Sequence, residues 1–329
     1  MRNRTFIGGT EYRNKPENLN KNDINLFEHE FQKEIFDSYV IDSQNVYLSG
    51  KNIINFKKFK FYLNHTYMNR PPLKNVIKFI IKFLKLIPKS KIKVDSGVWV
   101  INNKSENYFH WMTESLARVL SFQKLNKKGT ILLPDNFNSL DFASKTLDML
   151  DVEYKIYSNE NLVKVRDLSL TTHTAPAGNY NSKIISELHH KLNKDSKSVS
   201  GKRLWLSRKF SGRRFLVNEE DITTMLQDYG IEIIYPEKLS YKEQVKIFRE
   251  AEFIGGVHGA ALANMLYMEM NNTVLELRAE NDAHNNCHYS LAVSLKNKFY
   301  YVICENDSDH NFIVDVKNLK ETLNKIFKK

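Results

Sequence analysis

The sequence predicts an α/β protein built from two doubly wound lobes, and three observations carry that expectation. From Val94 onward, short apolar runs alternate with segments of helical period, the pattern of parallel strands covered by helices on both faces. At 329 residues the chain can fill two packed lobes, since one hydrophobic core serves about 150 residues. A polar stretch at 191–202, KLNKDSKSVSGK, divides the alternation into two series. Two such lobes facing each other leave a cleft, and open parallel sheets bind ligands at the carboxyl ends of their strands.

The elements follow in order. Residues 1–70 read as polar loops with short strand-like runs such as SYVIDSQNVYLSG, closed by Pro71-Pro72. In LKNVIKFIIKFLKLIPKSKIK, residues Lys74, Lys78, Lys82, Lys85 and Lys89 recur every three or four positions, opposite Ile77, Ile80, Ile81, Phe83, Leu84 and Ile87. This basic amphipathic helix reads either as a domain helix with a solvated lysine face or, across residues 74–93, as an interfacial helix on anionic lipid. The first series is then GVWVINN as strand, HWMTESLARVLSFQKL as helix, TILLPD as strand, DFASKTLDML as helix, and VEYKIYS and VRDLSLTT as strands, with a further helix over 179–197.

The second series opens on the strand RLWLSRK and the helix EEDITTMLQDYG, stopped by Gly230. The strand IEIIYPE follows, then the helix SYKEQVKIFREA, where Ser240 and Glu243 stand at capping-box spacing. EFIGGVHG ends a buried strand in a glycine turn, AALANMLYM reads as the next helix, and TVLELR as the next strand.

Composition narrows the function classes. Forty-nine Lys and Arg against 38 Asp and Glu give a net charge of +11, which favours anionic partners. Nucleic acid is disfavoured, because a strand-tracking groove needs basic residues interleaved with aromatics, whereas here lysines cluster at 74–93 and arginines at strand ends. Cys287 and Cys304 are the only cysteines and lack zinc-site spacing, so neither a disulfide framework nor a structural metal is expected, and a reducing cytoplasm fits. The N-terminus lacks the apolar core of a signal peptide, and no run reaches the length of a spanning helix, which together predict a cytoplasmic protein, soluble or peripheral on the inner face of the membrane.

The chemistry concentrates at predicted strand ends. Around GGVHGAALAN, glycines let a ligand approach bare backbone, and a helix starting near Ala260 would aim its unpaired N–H groups at an anion. His258 and Asn264 could face the same space. About fifty residues earlier, Ser207 and Arg208 end a strand and Arg213 and Arg214 follow in a loop, so guanidiniums suited to phosphate share that rim. Glu276 ends the next strand, where it either accepts ribose hydroxyls or pairs with Arg278. In ENYFHWMTESLARVL, His110 and Glu114 stack one turn apart and could abstract a proton from an acceptor hydroxyl, with Asn107, Trp111 and Arg118 alongside.

The order NYFHWMTESLAR, then LWLSRK with RR and LVNEED, then YGIEIIYPEKLSYKEQVKIFREAEFIGGVHGAALANMLYM and TVLELR, resembles glycosyltransferase family 61, the bacterial capsular polysaccharide biosynthesis proteins. The resemblance runs from about Val98 to Arg278. It departs at MEMNNTVLEL, where relatives often carry a Pro-Gly pair, and it does not reach the first ninety-odd residues. It implies a GT-B fold of two Rossmann-like lobes and an inverting, metal-independent transfer without cofactor, from a nucleotide-diphosphate sugar to a glycan or lipid-linked glycan. The donor would lie against Ser207, Arg208, Arg213, His258, Gly259, Ala260, Asn264 and Glu276. Glu114, ahead of His110, would be the base, with Asn107, Trp111 and Arg118 at the acceptor.

The division expected is an acceptor lobe comprising the extension 1–97 and residues 98–180, a donor lobe at 181–300, and a C-terminal strand and helix at 301–329 crossing back to the first lobe. The rivals are a noncatalytic nucleotide-binding protein, a nucleic-acid-binding one and a dinucleotide-dependent oxidoreductase, the last disfavoured because GGVHGA is not GxGxxG and comes late in the chain.

Overall fold

The computed structural model describes residues 2–69, 71–87, 91–196 and 201–328. Lys89 of the lysine series and residues 197–200 of the polar linker lie outside the described residues. The chain forms two compact units, one of residues 1–9 and 36–176, the other of residues 10–35 and 177–329.

The first unit carries an eight-stranded sheet of mixed direction. Its parallel half runs Leu162–Thr171, Lys91–Trp99, Thr130–Pro134, Tyr154–Tyr157 across the sheet. The other half is antiparallel: Ser38–Ser49 pairs with Leu162–Thr171, Arg2–Phe6 and Asn52–Asn55. The sequence reading expected a parallel sheet preceded by polar loops, and the difference has a local cause. Ser49 pairs with Asn52 across a two-residue turn, and so short a connection can only reverse the strand, whereas a parallel neighbour needs a crossover of a dozen residues.

The second unit carries a six-stranded sheet in the order Ile231–Ile234, Lys202–Leu206, Ala251–Val257, Thr273–Ala279, Lys298–Asn306, Phe312–Ile313. The first five strands are parallel and the last is antiparallel. In chain order this is 2-1-3-4-5, so the winding reverses between Lys202–Leu206 and Ala251–Val257, the place where doubly wound sheets take ligands. The strands are nearly continuous apolar runs because helices cover them, and the core gathers Trp205, Phe253, Leu275, Leu277 and Val302 under Ile222, Leu226, Leu319 and Leu323. The C-terminal helix Val316–Phe327 thus packs on the sheet of this second unit.

Helix starts follow the capping signals. Asn181 accepts from the amides of Lys183 and Ile184, opening the Ser182–Leu192 helix. Ser240 and Glu243 form the reciprocal capping box ahead of Tyr241–Arg249.

Candidate active site

In the second unit the two strands at the winding reversal end side by side, at Leu206 and Val257, with Leu206 in register with Gly256. Their continuations, Ser207-Arg208 and His258-Gly259, therefore leave the sheet together. Gly259 has an extended φ of −176°, which any residue adopts, so its lack of a side chain concerns space. An added Cβ would fall on the Arg208 guanidinium. Arg208 Nε donates to Arg214 O at 3.0 Å and Nη2 to Arg213 O at 3.2 Å. It thereby holds the loop in which Arg214 takes a left-handed φ of 52°. Burial pulls its guanidinium down to about 10, where it is still a cation at neutral pH.

That loop walls a pocket of about 370 Å³ lined by Arg213, Arg214, His258 and Arg278, with the carboxylates of Asp282 and Asp309 also in the lining. His258 Nδ1 lies 2.5 Å from Glu276 Oε1. The Glu276 carboxylate has no exposed surface. Burial pushes it up, but the charge and hydrogen bond of His258, with Arg278 and His288, outweigh that and hold it below the usual carboxylate range. Arg278 Nε stands 3.8 Å from Glu276 Oε2. Its Nη2 donates to Ala283 O, Asn285 O and Asn286 Oδ1 at 2.6 to 2.9 Å. A row of guanidiniums and one oriented imidazole around an open space can hold an anion of the size of a diphosphate.

Several donor-side expectations are placed differently. The segment after Gly259 is a 3-10 helix of seven residues, Ala260–Leu266, and not an α-helix, so it offers no sustained row of aligned dipoles. Ser207 is buried and its hydroxyl donates to Glu219 at 2.6 Å. Asn264 is buried as well, with Nδ2 donating to Gln244 at 3.3 Å. Glu276 is fully buried and faces His258. Ala260 opens the 3-10 turn beside the pocket histidine.

His258, Cys287 and His288 bring three ligand atoms within 4.8 Å of one another. Burial raises the Cys287 thiol and lowers the His288 imidazole to about 3, so the thiol is protonated and His288 neutral. The Glu276 carboxylate opposes that lowering of His288, while His258, Arg278 and Arg214 add to it.

In the first unit the winding reverses between Lys91–Trp99 and Leu162–Thr171, and the residues after Trp99 carry the second cluster. Asn107 is exposed and caps the next helix by accepting from Phe109 N at 3.0 Å. Tyr108–His110 is α-helical, Trp111–Ser115 winds as a π-helix, and Leu116–Gln123 returns to α. Thr113 Oγ1 donates to Phe109 O at 2.8 Å, occupying a carbonyl that a regular helix pairs with an amide. π-Turns of this kind recur at functional sites.

His110 Nδ1 lies 2.8 Å from Glu114 Oε1. The Glu114 side chain is 3% exposed and that of His110 20%, so the imidazole is the member of the pair that meets solvent. Asn102 Nδ2 approaches Glu114 Oε2 at 3.4 Å. Trp111 and Arg118, expected at the acceptor, have no exposed surface. Trp111 packs against Phe137 and donates to Thr146 at 2.8 Å. Arg118 donates to Thr171 Oγ1, Thr171 O and His65 O at 2.8 to 3.0 Å, tying the helix to the strand end. Burial draws it down to about 9, against the pull of the Glu114 charge.

Sequence reasoning missed His65 and His173, whose burial beside Arg118 lowers both imidazoles to about 4. It also missed the pocket role of Arg278, although Glu276 and Arg278 two apart on one strand share a face.

The two sheets make this an α/β protein, and both side-chain clusters follow strand ends where the winding reverses, the position at which open parallel sheets commonly take ligands. The chain belongs to glycosyltransferase family 61: the family model, Glycosyltransferase 61, matches residues 108–275. The match takes in His110, Glu114, Arg208, Arg213, His258 and Gly259, and stops one residue short of Glu276. A search of curated proteins finds no match. The protein is thus a glycosyltransferase, acting between a sugar donor and a glycan acceptor. No helix among the described residues is long and apolar enough to cross a membrane.

Proposed function

We propose that the protein is an inverting glycosyltransferase of GT-B type, in which the second unit binds a nucleotide-diphosphate sugar and the first unit binds the acceptor. The observation that carries this reading is the convergence of Arg213, Arg214, Arg278 and a Glu276-oriented His258 on one pocket at the winding reversal of the second sheet.

Arg213, Arg214 and Arg278 would neutralise the diphosphate and stabilise the charge that builds on it as the sugar departs. The Glu276 carboxylate accepts from His258 Nδ1, leaving Nε2 for a phosphate oxygen or the sugar. Fixed guanidiniums occupy the role that a divalent cation fills in enzymes with an Asp-x-Asp motif, so transfer is metal-independent in this reading. Arg208 acts by positioning the loop, through the Arg213 and Arg214 carbonyls.

In the first unit, His110 is the general base and Glu114 its orienting partner, the reverse of the sequence expectation. Glu114 is enclosed and holds Nδ1, while the imidazole reaches solvent and presents Nε2 to an acceptor hydroxyl. The hydroxyl oxygen then bonds the anomeric carbon as the bond to the diphosphate oxygen breaks, and the hydroxyl proton passes to His110. A growing cell-surface glycan is the acceptor in this reading, and the +11 charge would favour an anionic one. Incubation with a panel of nucleotide sugars tests the reading: release of nucleoside diphosphate that is lost on His110→Ala supports it, and no release from any donor sinks it. A noncatalytic nucleotide-binding protein would bind donors and release nothing.

A further inference from the structure

The Leu73–Leu86 helix presents three sectors, and only one of them is used by the fold. At about 100° per residue, Phe79, Phe83 and Leu86 fall on one sector. All three are buried against Ile54, Leu162, Tyr47, Phe56 and Phe61. The lysines 74, 78, 82 and 85 occupy a second. Leu73, Ile77, Ile80, Ile81, Leu84 and Ile87 fall together on a third, about 120° wide, and every one of them is exposed, with Leu73 at 74% and Leu84 at 57%. A contiguous strip of large aliphatic side chains in water marks an interaction surface.

We propose that this exposed sector seats on an anionic lipid bilayer, with the helix lying in the interface and the lysine row level with the lipid phosphates. Charge complementarity points to lipid. Between Pro71 and Lys93 the chain has no acidic residue, and the lysine sector directly adjoins the apolar one, so an occupant must offer hydrocarbon beside negative charge. A second copy of this chain would set two lysine rows against each other. The helix is held to its sheet by the phenylalanine sector, so the anchor is preformed and needs no unfolding to engage.

The same helix contributes Lys78 and Lys82 to a pocket of about 490 Å³ that also includes Asn103 and Glu106, shortly before the His110 helix. A bilayer on the exposed sector therefore lies beside the acceptor side of the first unit, which suits an acceptor carried on lipid. The docking itself stands on the helix alone and does not depend on the transfer reading.

Cosedimentation of the full chain with phosphatidylcholine vesicles, with and without phosphatidylglycerol, tests the proposal. Binding to the anionic vesicles should exceed binding to the neutral ones by about tenfold and fall with added salt. Ile77→Ser with Ile81→Ser and Leu84→Ser, and separately Lys78→Glu with Lys82→Glu and Lys85→Glu, should each abolish most of it. All of these side chains point away from the buried sector, so both variants should keep the parent melting temperature. Equal partition to both vesicle types, unchanged binding of either variant, or a concentration-dependent dimer that the serine variant disrupts in the absence of lipid binding would overturn the proposal.

Discussion

The guanidinium of Arg208 occupies the space that a side chain at Gly259 would fill. Two strand ends some fifty residues apart in sequence are thereby fitted to each other, and the arginine loop is held over the pocket by the same guanidinium. Gly259→Ala tests that fit. The backbone there is extended and accepts alanine, so the fold should survive, while Arg208 must move and release the loop. Nucleoside diphosphate affinity, read by calorimetry, should fall by roughly ten- to a hundredfold, the worth of one or two charge-assisted contacts. Unchanged affinity would show that the loop does not depend on this contact.

The paired roles of His110 and Glu114 separate by substitution. His110→Ala should lower kcat by about a hundred- to ten-thousandfold, the range of a lost general base, with little change in donor binding. Glu114→Gln keeps an acceptor for Nδ1 but no charge, and should cost about ten- to a hundredfold. If Glu114→Gln were the more damaging of the two, the carboxylate and not the imidazole would be the base.

His65 and His173 make the first unit acid-sensitive. Burial holds both near 4 in the folded chain, below the value of about 6.5 for an unfolded histidine. The unfolded chain therefore binds more protons below that value, and stability is full above about pH 6.5 and lost as pH falls toward 4, at up to about 2 kcal/mol for each histidine by about pH 5. Thermal melts should show the loss, and His173→Gln should reduce the drop in Tm between about pH 7 and pH 5. An unaltered pH dependence in the variant would assign the acid sensitivity elsewhere.

Charge in the donor pocket should govern salt dependence. Arg213→Ala and Arg278→Ala should each weaken nucleoside diphosphate binding by about tenfold at low salt and flatten its decline with ionic strength. Arg278 also braces the 283–286 loop, so a fall in Tm is expected for that variant and not for Arg213→Ala. Equal salt slopes for all three proteins would remove the arginines from the site.

The second unit was legible because its code is local. Apolar runs between capped helices fix a parallel sheet, and Arg208 and His258 were placed at strand ends from those runs alone. Their proximity followed only from the strand order, which no short-range signal carries. The first unit was half legible: its parallel strands followed the same rule, whereas the antiparallel half begins in mixed polar runs whose pairing is set by tight turns and by the partner strand. The full burial of Trp111 and Arg118 was not legible, because a polar or aromatic residue near a histidine gives no sign of its own burial. Arg118 earns its buried place through hydrogen bonds to Thr171, more than fifty residues later. The π-turn at Trp111–Ser115 has no sequence period to reveal it.

In the proposed mechanism, cationic side chains of the second unit hold a nucleoside diphosphate without a metal. Calorimetric titration of UDP, GDP, ADP and CDP into the protein in the presence of EDTA, repeated with His258→Ala and Arg213→Ala, tests it most directly. At least one of these nucleotides should bind with EDTA present, and both variants should weaken it by about tenfold or more. Absence of binding by every nucleotide, or binding that neither substitution alters, would contradict it.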